Sequence, residues 1–167
     1  MNYKEPIILL DADGVLFDFT TPYLAFANEV SGLNITLDTI TSWEMEKLYP
    51  LEVQHRLHAK SRGVGFCEKL QPYPGAIKAV AALRKLGKVY CVTAPCLAPT
   101  WAYERTLALL EHFGFTPDEV VHTKAKHLVR GKLFVDDKTE NVAAWAEANP
   151  GGIGVIWKSL TIKLKLT

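Results

Sequence analysis

The chain carries, at residues 7–18, the stretch Ile7-Ile8-Leu9-Leu10-Asp11-Ala12-Asp13-Gly14-Val15-Leu16-Phe17-Asp18. The four apolar residues that open it predict a buried strand, because parallel strands covered on both faces read as continuous apolar runs. Asp11 and Asp13 follow at the strand end where open α/β sheets place their ligands. Two carboxylates this close repel each other unless a cation lies between them, and Mg²⁺ prefers oxygen ligands. The stretch indicates phosphoryl chemistry; the alternative is an Asx-type turn that closes a strand.

Composition limits the classes of function that fit the rest of the chain. The 167 residues fit one domain with an insertion, and 49% hydrophobic with 22% charged residues is typical of a globular core. A net charge of +1 provides no field for a nucleic acid polymer or an anionic membrane. We therefore expect no polymeric nucleic acid and no membrane as partners.

The cysteines and the termini predict a cytoplasmic protein. Cys67, Cys91 and Cys96 are odd in number and lack metal-ligand spacing, which favours a reducing compartment. The first apolar run is too short for a signal peptide, and no segment approaches the ~20 apolar residues of a membrane span. The oligomeric state stays open, a homodimer included.

Strand and helix patterns alternate along most of the chain. Strands are predicted at 7–10, 88–93, 120–121, 132–135 and 153–157. Helices are predicted from a Thr21-Pro22 N-terminus to Ser31, at 51–60, at 74–86 with Ile77, Val80, Leu83 and Leu86 on one face, at 101–113, and around Val142 and Trp145. This alternation predicts an α/β fold with a central parallel sheet covered by helices on both faces. Residues 33–71 contain no convincing buried strand, so a small helical insertion is expected there, after the first strand.

Polar residues follow several of the predicted strands. Asp11 and Asp13 follow the first, Thr93 ends the second, and Asp136 and Asp137 follow the fourth, with Lys126 shortly before it. Parallel strand ends emerge at one edge of a sheet, so these groups can converge into one metal and phosphate site.

These motifs resemble those of the haloacid dehalogenase superfamily, and within it the 5′(3′)-deoxyribonucleotidases. The segments that carry the resemblance are DADGVLFDF, GFCEKLQPYPGA, VTAP with WAYERTLALLEHFG, and KHLVRGKLFVDD. The resemblance implies a three-layer Rossmann-like core formed by residues 1–17 and 72–167. Residues 18–71 would then form the small cap that covers the site and selects the leaving group.

The resemblance also implies roles. Asp11 would be the nucleophile that forms an aspartyl-phosphate, and Asp13 the general acid and then the base that activates water. Mg²⁺ would bind the Asp11 carboxylate, the Asp13 backbone carbonyl and Asp137, with Asp136 in support or in contact through water. Thr93 would donate to a phosphoryl oxygen and Lys126 would neutralise charge.

Simpler interpretations remain for several of these residues. Lys124 is a nearby rival to Lys126, Thr93 could be an ordinary strand residue, and Asp136 with Asp137 could cap a helix. Asp18 fits a cap or a structural hydrogen-bond partner better than a catalyst.

The substrate is less well defined. Phe19 and Phe66 match aromatic residues of the deoxyribonucleotidases, and Trp43 could play a related part by stacking on a pyrimidine; cap core is the alternative for all three. The family's threonine-serine-proline is Thr93-Ala94-Pro95 here, and a lysine shortly after that proline is missing.

We therefore expect a Mg²⁺-dependent phosphomonoesterase for nucleoside monophosphates. The alternatives are a phosphatase for another small phosphometabolite such as a sugar phosphate, a polynucleotide 3′-phosphatase, which the weak net charge disfavours, and a non-catalytic nucleotide-binding module.

Overall fold

The computed structural model describes residues 5–40 and 44–158. Five parallel strands form one sheet in the order β3-β2-β1-β4-β5. The strands are β1 Ile7–Leu10, β2 Lys88–Thr93, β3 Val120–His122, β4 Leu133–Asp136 and β5 Ile153–Ile156. The α-helices are α1 Thr20–Ser31, α2 Leu51–Ser61, α3 Ala76–Leu83, α4 Trp101–Phe113 and α5 Thr139–Ala148. Within those residues, no helix is long and apolar enough to cross a membrane.

Helices cover both faces of the sheet. Alternate residues of β1 point to opposite faces, as the period of two in a strand requires. Ile8 packs in one buried cluster with Val80 of α3 and Leu109 of α4. Leu9 packs in another cluster with Trp145 of α5. The α/β fold class and the parallel sheet predicted from the sequence are therefore confirmed, in three layers.

The segment between β1 and α3 has an apolar cluster of its own. That cluster joins α1 and α2 through buried residues such as Leu24 and Leu57. The two chain connections to the sheet lie side by side, because the Asp18 N–H donates to the Gln71 carbonyl over 2.9 Å. The structure assigns no strand to residues 18–40 and 44–71. These contacts support the predicted cap at 18–71, and the division into core and cap stays a prediction.

Two helix boundaries differ from the sequence prediction. The helix α1 begins at Thr20, and the Asp18 carboxylate accepts the Thr21 N–H over 3.0 Å. A carboxylate is a strong acceptor for the free N–H groups of a first turn, so Asp18 replaces the predicted Thr21 cap. The helix α3 ends at Leu83, and Ile77 and Leu86 are 49% and 68% exposed. The predicted four-residue apolar face was wrong at these two positions.

Candidate active site

The carboxyl ends of three neighbouring strands form the floor of the site. The strand β1 lies between β2 and β4 in the sheet. Asp11 follows β1 and donates its backbone N–H to the Val135 carbonyl of β4 over 2.9 Å. Asp136 ends β4, and Thr93 ends β2 on the other side. The parallel register thus brings together side chains that lie more than a hundred residues apart.

Lys126 connects two of these carboxylates. Its Nζ lies 2.7 Å from Asp11 Oδ2 and 2.7 Å from Asp136 Oδ2. The lysine begins a short 3₁₀ turn, Lys126–Leu128, and is only 4% exposed. Burial would lower the pKa of Lys126, but Asp11 and Asp136 outweigh it and raise that pKa. The ammonium therefore stays charged between the two acids.

Asp136 is held by several donors. Its Oδ2 accepts Lys126 and the side-chain amide of Asn141, and its Oδ1 accepts the same amide and the Lys138 N–H over 2.8 Å. The residue is completely buried. With both oxygens in hydrogen bonds, Asp136 is better placed to orient its neighbours than to bind a cation directly.

Asp137 differs from Asp136 in this respect. It is 4% exposed, and its Oδ1 is buried without a hydrogen-bond partner in the part of the chain that the structure describes. Its carboxylate packs against Gly14, which has a φ of +81°. A Cβ at Gly14 would meet Asp137 Oδ2 and lie 2.6 Å from Asp137 Cγ. Glycine is thus required at position 14 both for the backbone conformation and for the approach of Asp137.

The acids of this site have the properties of a cation-binding set. Asp11, Asp136 and Asp137 each offer an oxygen within 4.8 Å of the others. Burial, reinforced by Asp136 and opposed by Lys126, raises the pKa of Asp11 to about 7. Burial with the neighbouring Asp11 and Asp136 raises the pKa of Asp137 to about 8. A hard divalent cation would relieve this repulsion and occupy the orphaned Asp137 oxygen, so the residues fit Mg²⁺.

Asp13 forms an ion pair with an arginine that the motifs did not reveal. Arg105 of α4 donates from Nη2 to Asp13 Oδ1. Arg105 is completely buried, whereas the Asp13 side chain is 27% exposed. Burial would lower the pKa of Arg105, but Asp13 and other neighbours reverse the sign and raise it. Asp13 is therefore fixed on one side and open to the cavity on the other.

A cavity of about 370 Å³ opens above these residues. Its size is within the usual range for small-molecule sites, which is roughly 300–1,000 Å³. The wall includes four of the expected residues besides Asp11 and Asp13, namely Phe19, Thr93, Lys126 and Asp137. The remaining lining residues are Gly14, Thr20, Met45, Arg62, Ala94, Pro95, Cys96, Leu97, Trp101, Lys124, Lys138 and Asn141.

The expected aromatic residues lie at different distances from the cavity. Phe19 lines it, with its ring centroid 5.3 Å from that of Tyr23. Phe66 does not line it; its ring stacks on Trp101 with centroids 6.2 Å apart and meets Phe19 edge-on. Trp43 lies outside the described residues. Among the described residues, Phe19 and Trp101 form the aromatic wall of the cavity, with Phe66 behind them.

Sequence reasoning missed Arg105, Asn141 and Trp101. Arg105 lies four residues from both Trp101 and Leu109 on the buried face of α4, a spacing that could have marked it, whereas local pattern gave no signal for Asn141. Trp101 could have been noticed, because it is the first residue of the helix that follows the Thr93 loop. Lys124, the rival of Lys126, also lines the cavity but is exposed and is not the lysine between the acids.

Comparison with known proteins places these observations in a family. Residues 5–157 match the family described as 5′ nucleotidase, deoxy (pyrimidine), cytosolic type C protein. The chain is 29% identical over 140 residues to a Bordetella pertussis protein named "Putative 5′(3′)-deoxyribonucleotidase", covering 79% of this chain and 74% of the relative.

Solved structures share the fold. A "putative haloacid dehalogenase-like hydrolase" of Burkholderia xenovorans superposes with a TM-score of 0.55 at 17% identity, covering 87% of this chain and 78% of that one. A haloacid dehalogenase-like family hydrolase of Streptococcus pneumoniae gives 0.52 at 13% identity, covering 86% and 80%. The chain thus has the haloacid dehalogenase-like fold.

Proposed function

Because the chain belongs to the cytosolic type C 5′ nucleotidase family, a family of phosphoric monoester hydrolases, we propose that it hydrolyses nucleoside monophosphates with Mg²⁺ through an aspartyl-phosphate. One observation carries the proposal. Asp11 lies at the floor of a 370 Å³ cavity, paired with buried Lys126 at 2.7 Å and adjoined by the partly unsatisfied Asp137. The proposed nucleophile, a fixed cation and an acidic set that fits a metal therefore share one cavity.

The metal would be held by the Asp11 and Asp137 carboxylates and the Asp13 backbone carbonyl, with Asp136 orienting the set. When bound, Mg²⁺ neutralises the charge of the phosphoryl group and of the carboxylates that face it. Asp136 suits its role because Lys126, Asn141 and the Lys138 N–H occupy its oxygens.

The chain supplies the groups for a two-step displacement. An Asp11 oxygen attacks phosphorus, the bond from phosphorus to the leaving oxygen breaks, and Asp13 gives that oxygen a proton. A water molecule then attacks the phosphorus of the Asp11 phosphate, Asp13 takes its proton, and inorganic phosphate leaves. Lys126 neutralises charge that Asp11 shares with the phosphoryl group, and the Thr93 hydroxyl donates to a phosphoryl oxygen.

The cavity wall supports a substrate with a flat apolar group. Phe19 and Trp101 present rings on which a pyrimidine base can stack, and Phe66 fixes those rings from behind. Phe66 contributes indirectly, by packing against Phe19 and Trp101. The stacking role of Trp43 stays a prediction. Arg62 and Lys124 also line the cavity and can supply the positive charge of the missing lysine.

A sugar phosphate is the second candidate substrate. Ala94, which stands where the resembled family has a serine, removes one hydroxyl donor and so weakens the case for a deoxynucleotide relative to this second class.

We assign the enzyme to the cytoplasm because Cys67, Cys91 and Cys96 are all free thiols.

A substrate panel tests the proposal. Purified protein with Mg²⁺ should release phosphate from p-nitrophenyl phosphate and from deoxy- and ribonucleoside monophosphates, and EDTA should abolish the release. Asp11→Asn should be inactive, whereas Asp118→Asn, an exposed aspartate outside the cavity, should match the wild type. Preference for sugar phosphates would refute the nucleotidase assignment. Equal inertness of the wild type and Asp11→Asn would favour the binding module.

A further inference from the structure

Arg105 is buried in a manner that stability alone does not explain. It is 0% exposed, and its Nε and Nη1 have no hydrogen-bond partner among residues 5–40 and 44–158. Removing a guanidinium from water while leaving donors unpaired destabilises the folded state, and such groups call for a specific explanation. We therefore look for the reason for its burial in its ion pair with Asp13.

The surroundings of Arg105 fix its position. The guanidinium carbon lies 4.4 Å from the Phe17 ring centroid and 5.7 Å from that of Trp101. Cation–π contacts at these distances and complete burial restrict the orientation of the side chain. Glu104, the preceding residue, accepts the Gly65 N–H over 2.8 Å and the Thr100 hydroxyl over 2.6 Å, which anchors this first turn of α4.

The consequence falls on Asp13. Arg105 Nη2 occupies Asp13 Oδ1, while the Asp13 side chain lines the cavity and is 27% exposed. A proton on the same carboxyl must then be carried by Oδ2, the oxygen that Arg105 leaves open. We propose that Arg105 is a positioning residue that aims Asp13 Oδ2 at the leaving-group oxygen of the substrate. The inference rests on the proposed function, since it gives Asp13 its role as general acid.

A proton donor matters only when the leaving group needs a proton. The alkoxide released from a nucleoside monophosphate needs one, whereas 2,4-dinitrophenolate is stable without it. General acid–base catalysis contributes about 10²–10⁴-fold to such reactions. A misaligned Asp13 should therefore slow hydrolysis of the nucleoside monophosphate far more than hydrolysis of 2,4-dinitrophenyl phosphate. The comparison uses kcat/KM, because this constant reports formation of the phosphoenzyme and not its hydrolysis by water.

The test compares Arg105→Met with Arg84→Met. Arg84 also pairs with a carboxylate, Glu119 at 2.8 Å, and lies 4.7 Å from the Phe115 ring centroid, but it does not line the cavity. For Arg105→Met we expect kcat/KM to fall by about 10²-fold with a deoxypyrimidine 5′-monophosphate and to change little with 2,4-dinitrophenyl phosphate. Arg84→Met should show no dependence on the leaving group, whatever its effect on thermal stability.

Other outcomes are distinguishable. Equal losses with both substrates, or no loss with either, would overturn the positioning role of Arg105 while leaving the phosphatase in place. If Arg105→Met fails to fold, Arg105→Lys carries the test, with a smaller loss that must still depend on the leaving group. A wild-type protein inert toward both substrates would refute the proposed function, and the inference with it.

Discussion

Replacing Gly14 by alanine should disable the metal site and leave the fold in place. Gly14 has a φ of +81°, and a Cβ there would lie 2.6 Å from Asp137 Cγ and meet Asp137 Oδ2. The obstructed group is the end of a side chain, so Asp137 can rotate away without movement of the sheet. The added methyl therefore displaces the carboxylate that would bind the metal.

The magnitude separates into two parts. An alanine with positive φ costs about 1–2 kcal/mol, which lowers the Tm of a chain of this size by about 2–8 °C. Gly75→Ala is the matched control, because Gly75 has a φ of +86° and no described residue lies within 4 Å of its added Cβ. Mg²⁺ at about 100 times its Kd stabilises the folded state by about 2.7 kcal/mol, or about 5–11 °C. Gly14→Ala should lose this stabilisation by Mg²⁺.

Thermal melts with EDTA and with saturating Mg²⁺ measure both parts. In EDTA the two alanine variants should melt at similar temperatures, both below the wild type. With Mg²⁺ the wild type and Gly75→Ala should gain stability, and Gly14→Ala should gain none and release no phosphate. A Gly14→Ala variant with the wild-type Mg²⁺ response and activity would refute the reasoning that Asp137 is a metal ligand.

Three further predictions concern charge, pH and substrate. Lys126→Met should lower the free energy of unfolding by about 3–5 kcal/mol in urea titrations, because Asp11 and Asp136 lose the cation between them, and should abolish activity; an equal effect of Lys124→Met would contradict this. Asp11 and Asp137 have folded pKa values of about 7 and about 8 against an unfolded 3.8, so their protonated forms stabilise the metal-free protein at low pH. That contribution is fully present below pH 3.8 and is lost as pH rises to about 8. Tm in EDTA should therefore fall over this pH range, and excess Mg²⁺ should reduce the fall. A Tm that rises over this range would contradict the burial of these acids. Phe19→Leu should raise KM for nucleotides more than for sugar phosphates in steady-state assays, since it removes a stacking ring; an equal rise would indicate packing damage.

The sheet and the acidic floor of the site could be predicted because their signals are local. Continuous apolar runs mark β1 and β4, and the aspartates follow them directly, so parallel topology was enough to place Asp11 near Asp136. Threonine at the end of β2 follows the same rule. The polar residues of this sheet edge could be predicted because they are adjacent to strands that the sequence pattern indicates clearly.

The rest depends on contacts between distant segments. The burial of Arg105 against Phe17 depends on how α4 packs on the loop after β1, although its spacing from Trp101 and Leu109 already places it on the buried face of the helix. The position of Phe66 behind Trp101 depends likewise on how the insertion packs against α4. Ile77 in the short helix α3 shows the opposite case: its apolar spacing predicted a buried residue, but the structure leaves it exposed. Apolar residues at helical spacing are buried only where another element packs against them.

The central claim, that Asp11 carries the phosphoryl group during turnover, is tested most directly by acid quenching with labelled substrate and peptide mapping. We predict an acid-stable, hydroxylamine-sensitive label on the peptide that contains Asp11. With labelled 2,4-dinitrophenyl phosphate, whose leaving group needs no proton, the label should accumulate in Asp13→Asn, because this variant cannot activate water. It should be absent from Asp11→Asn. Phosphate release by a wild-type enzyme that is never labelled, or a label on another residue, would contradict the account.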